Sequence, residues 1–160
     1  MYVDFDFYQK TYGGEVITAD RWEAVATRAD VFIDRITFNR LQDYSPEKEA
    51  HWISIRFAVC ALAELMDTIR GYKAEAHRAA TAGGATAQGG RVKSVTSGRE
   101  SITYAEGTNA ITALYMAAEN PAEEYRLYYK AVEPYLANIP DARGINLLYA
   151  GFERGNNNCI

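Results

Sequence analysis

SPEKEAHWISIRFAVCALAELMDTIRGYKAEAHRAA, residues 45–80, decides the fold class. Ser45-Pro46-Glu47 reads as a helix start: serine caps free N–H groups, and proline takes the first helical position, where a missing N–H costs nothing. Ala50, Ile53, Phe57, Cys60, Ala61, Leu65, Ile69 and Tyr72 then recur at helical spacing, and Val59, Leu62 and Met66 widen the stripe. A helix apolar over so much of its circumference belongs at a centre, with neighbours on more than one side. Gly71 weakens its continuation to about Ala80 without forbidding it.

Upstream lies a second stripe, residues 18–38. Thr18 is placed to cap it with its hydroxyl, and Asp20 suits the positive helix end. Trp22, Val25, Ala26, Ala29, Phe32, Ile33 and Ile36 form one apolar face, while Arg21, Glu23, Arg28, Asp30 and Asp34 fall mostly elsewhere, as a solvated face should. Residues 1–17 are an aromatic lead-in with Tyr2, Phe5, Phe7, Tyr8 and Tyr12, closed by a turn at Gly13-Gly14. Val3, Phe5 and Phe7 alternate as in a short strand, but the same residues fit a first helical turn; in either form they cover the core.

Downstream, residues 81–90 are glycine, alanine, threonine and glutamine, a composition that builds no core and is expected to be mobile. Residues 93–96 and 100–104 flank Ser97-Gly98 as a candidate hairpin. Residues 108–119 predict a short helix. Asn120-Pro121-Ala122-Glu123 predicts another, with a capping-box shape. That helix carries Tyr125, Tyr128, Tyr129 and Val132, then Tyr135 and Leu136, and Pro134 is expected to end or kink it. Residues 153–160 are a polar tail. The expected fold is mainly α: a single domain over residues 1–152, a small helical bundle with a long flexible loop or short β-hairpin at residues 81–107, between the second and third core helices.

The bulk numbers narrow function. A chain of 160 residues, 48% hydrophobic and 24% charged, suits one folded domain. Its net charge of −4 argues against whole-protein attraction to nucleic acid or acidic membranes. The apolar run at residues 52–66 is too short to span a bilayer and contains Arg56 and Glu64. The N-terminus carries Asp4 and Asp6 in place of a basic region, so no secretory signal is expected. Cys60, in an apolar helix, and Cys159, in the tail, are unsuited to pair, which points to a reducing compartment.

Catalytic chemistry finds no foothold, and no enzyme, metal or cofactor is expected. His51 and His77 stand about seven turns apart on one predicted helix and cannot share a metal. Cys60 lies among Val59, Ala61 and Leu62 without a base nearby. Asp4 with Asp6, and Glu123 with Glu124, are carboxylate pairs of a kind that solvation and helix-end electrostatics explain. Gly83-Gly84 and Gly89-Gly90 are not followed by the Lys-Ser/Thr of a phosphate loop. Arg91, Lys93 and Arg99 give residues 81–104 a charge of +2 in an acidic chain. A basic arm of this kind contacts phosphate backbone without reading sequence; the same three charges also serve to keep a loop soluble. The 12 tyrosines suit core edges and protein interfaces alike.

Five stretches occur in an informative order: YVDFDFYQKTYGG at 2–14, FIDRITFNR at 32–40, IRFAVCALAE at 55–64, VKSVTSGRESITY at 92–104 and NLLYAG at 146–151. Together they resemble the head–tail connector (adaptor) proteins of tailed phages and prophages of Gram-positive bacteria. The resemblance implies a non-catalytic virion protein that assembles in the host cytoplasm as a ring, expected to hold twelve subunits, beneath the portal protein. It implies a stopper or tail protein as the partner below and packaged DNA passing through the channel without sequence recognition. On this basis Arg91, Lys93 and Arg99 belong to a loop at the channel or the tail-side interface. Leu147, Leu148, Tyr149 and Phe152 belong to an arm that docks on the portal; the reverse assignment of the two surfaces remains open. The 108–120 helix, the glycine-rich stretch and the tail exceed the shorter members of that family. Another virion completion protein and a helical regulator are the alternative readings; a stopper would be richer in β-structure, and a regulator would want a basic recognition helix.

Overall fold

A computed structural model describes residues 1–43, 51–81, 94–97, 100–103, 109–141 and 143–150. It is mainly helical, as expected. In chain order come α1 (Phe5–Phe7) running into a π-helical turn (Tyr8–Tyr12), α2 (Ala19–Ile36), a 3-10 turn (Arg40–Asp43), α3 (Trp52–Thr81), β1 (Ser94–Ser97), β2 (Glu100–Thr103), α4 (Asn109–Glu119) and α5 (Pro121–Leu136). β1 and β2 pair antiparallel, with Val95 opposite Ile102. The expected mobile loop and the turn of the expected hairpin fall largely on residues 82–93, 98–99 and 104–108, outside the described residues. So does the helix start at Ser45-Pro46-Glu47, and so does the tail.

The chain forms two compact units: Met1–Ala63 with Val132–Ile160, and Glu64–Ala131. In the first, Tyr8 and Trp22 are buried and stacked, with ring centroids 4.3 Å apart. Trp22 Nε1 donates to the Val3 carbonyl at 3.3 Å. The lead-in is therefore a helical turn and not a strand. Asp4 caps it by accepting from the Phe7 N–H at 2.8 Å. Phe57 of α3 joins the aromatic set, edge-on to Tyr12 at 5.5 Å and to Tyr135 of α5 at 6.5 Å. Arg56 lies over the Phe7 ring at 3.5 Å. Ile55, Ala58, Val59, Cys60, Leu62 and Ala63 are all fully buried, so this part of α3 is enclosed on more than one side.

Several expectations need correction. Thr18 holds the N-cap position of α2 with extended backbone, but its hydroxyl makes no capping bond. Asp30, expected in solvent, is buried at 8% exposure. Ile53, expected on the apolar stripe, is 47% exposed. α5 runs two residues past Pro134, to Leu136; the proline is exposed, and the Ala137 N–H bonds the Glu133 carbonyl at 2.8 Å beyond it. The Lys130 carbonyl, which Pro134 leaves without its helical donor, belongs to an exposed residue where water can serve.

In the second unit Ile69 and Ala117 are buried. Glu124 accepts from Lys73 Nζ and from the Tyr128 hydroxyl, each at 2.7 Å. Asn120 serves two helices: its N–H closes α4 on the Met116 carbonyl at 2.8 Å, and its Oδ1 caps α5 at the Ala122 N–H at 2.9 Å. Because that N–H is already used, the reciprocal bond of a capping box is not made, and Glu123 pairs with Arg126 at 2.6 Å instead.

Candidate functional site

The segment after α5 folds back as a short ribbon. Pro140 and Asn146 form an antiparallel bridge, and the Leu147 N–H donates to the Ile139 carbonyl at 2.9 Å. Asp141 organises the turn between them: its Oδ1 accepts from the N–H groups of Arg143 and Ile145 at 2.8 and 2.9 Å. Gly144 sits at φ +81 in that turn, where a side chain would be strained. The other carboxylate oxygen faces Arg40 Nε at 3.7 Å. Arg40 Nη1 also donates to the Asn146 carbonyl at 2.8 Å. The side chains of Arg40 and Asp141 are only 17% and 7% exposed, so water screens the pair weakly.

This pinning sets the exposure of the expected docking residues. Leu147 is fully buried and Leu148 half-buried, while Tyr149 is 56% exposed. Leu147 is thus an anchor in the core of its unit, and Tyr149 is the side chain turned outward. Phe152 lies outside the described residues, as do Arg91, Lys93 and Arg99. Among the described residues no group of three or more His, Cys, Asp or Glu side chains could hold a metal, and no helix is long and apolar enough to cross a membrane.

Two features escape the sequence reading. The first is a polar latch on α2. The Tyr2 N–H donates to Asp30 Oδ2 at 3.0 Å, and the Tyr2 hydroxyl donates to Asp34 Oδ1. Asp30 Oδ1 has no hydrogen-bond partner among the described residues. Burial raises the Asp30 pKa to about 6 against the lowering effects of the Tyr2 N–H and the nearby terminal ammonium; Asp34 adds to the rise. Burial and the Asp34 bond also push the Tyr2 hydroxyl up. Asp30 lies four residues after Ala26 and three before Ile33, so helical spacing alone places it on the buried face.

The second is the end of α2. The Phe38 N–H bonds the Arg35 carbonyl at 3.3 Å, and the Asn39 N–H bonds the Asp34 carbonyl at 2.8 Å, which together make a Schellman motif. Its left-handed position is normally glycine, yet Phe38 (φ 56) holds it here, followed by Asn39 (φ 58). A side chain there costs about 1–2 kcal/mol. Phe38 is 51% exposed and borders a shallow, open patch of surface with Val31, Asp34, Arg35 and Asn39. The Arg40 guanidinium lies 5.3 Å from the ring centroid. The chain matches no family model, no curated protein and no solved structure.

Proposed function

We propose that this chain is a structural head–tail connector (adaptor) of a tailed phage or prophage. It forms a ring beneath the portal, of twelve subunits on the family's pattern, extends the DNA channel and offers a platform to the stopper or tail. The observation that carries the reading is the segment at 139–149, folded back and clamped by Arg40 so that Leu147 is anchored and Tyr149 is presented. A preorganised aromatic of this kind loses little freedom on docking. The five ordered stretches quoted above supply the family. In this reading Tyr149, with Leu148 and Phe152, contacts the portal while Leu147 holds the arm. Arg91, Lys93 and Arg99 face the channel or the tail, where their charge meets DNA without reading its sequence.

The test is co-sedimentation with portal rings from the same genome. The wild-type chain is expected to pellet with the rings, and Tyr149→Ser to pellet at least about tenfold less at limiting concentration, the loss expected of a contact worth 1.4 kcal/mol. Equal binding of Tyr149→Ser would sink the docking assignment.

A further inference from the structure

We draw no further inference here: the strongest candidate, the side-chain cluster on α2 where Tyr2 donates to both Asp30 and Asp34 and the buried Asp30 Oδ1 has no hydrogen-bond partner among the described residues, carries nothing, because it gathers no third metal-ligating side chain among them and nothing in the structure shows what ligand would fill it.

Discussion

Arg40 and Asn146 stand 106 residues apart in the chain and are joined by a 2.8 Å hydrogen bond from guanidinium to backbone carbonyl. The same carbonyl accepts the Tyr149 N–H at 3.0 Å, so one acceptor ties the turn after α2 to the exposed tyrosine. Arg40→Ala removes this bond and leaves the Asp141 carboxylate, 7% exposed, without its cation. The expected loss is about 2–4 kcal/mol, read as a lower denaturant midpoint. The ribbon at 139–149 should then become sensitive to protease under native conditions. A midpoint unchanged from wild type would mean that Arg40 does not hold the ribbon.

Gly13 and Gly14 are required for different reasons. Gly13 has φ +79 with open space around its Cα, so Gly13→Ala costs only backbone strain, about 1 kcal/mol. Gly14→Ala drives a methyl into the Tyr8 ring and should cost about 1–3 kcal/mol, at the upper end because that ring is buried against Trp22. Thermal unfolding of the two variants ranks them. Equal losses would mean that the Tyr8 ring can move aside.

Asp30 makes stability depend on pH in an unusual direction. Its carboxyl titrates at about 6 when folded, against 3.8 as the ordinary value. The folded state therefore binds the proton more tightly than the unfolded state. The stabilisation is complete below pH 3.8 and is lost as pH rises through 6. Other carboxylates titrate in the same range, so the quantity to follow is the stability of wild type relative to Asp30→Asn. That difference should shift against wild type by on the order of 1–2 kcal/mol across this window and then level off. A flat difference would show that Asp30 is solvated.

Leu147 and Tyr149 are two residues apart and should respond oppositely. Leu147→Ser empties a fully buried site and adds a hydroxyl, so a loss of about 2–5 kcal/mol is expected. Tyr149→Ser alters an exposed side chain and should stay within about 0.5 kcal/mol of wild type. Chemical denaturation measures both. A large loss for Tyr149→Ser would make it a structural residue and weaken its docking role.

Much of this was legible in the residues. The stripe Trp22, Val25, Ala26, Ala29, Ile33 and Ile36 is the buried face of α2, because a period of three and four leaves a helix no other way to bury it. Asn120-Pro121 opens α5 as its chemistry requires. Asp30 was misplaced because its charge was weighed above its spacing. How well α5 carries Pro134 was not legible, because its cost depends on whether water reaches the carbonyl one turn back, a tertiary fact. Phe38 was illegible, since propensity puts glycine at its position and only the folded chain reveals a side chain held there. The Arg40 clamp was hidden for another reason: no local pattern links residue 40 to residues 141 and 146.

The most direct test of the connector reading is electron microscopy of portal rings from the same genome mixed with excess chain. The account predicts a ring of this protein capping one end of each portal, coaxial with the channel. Bare portal rings, in a mixture where circular dichroism confirms that the chain is helical, would contradict it.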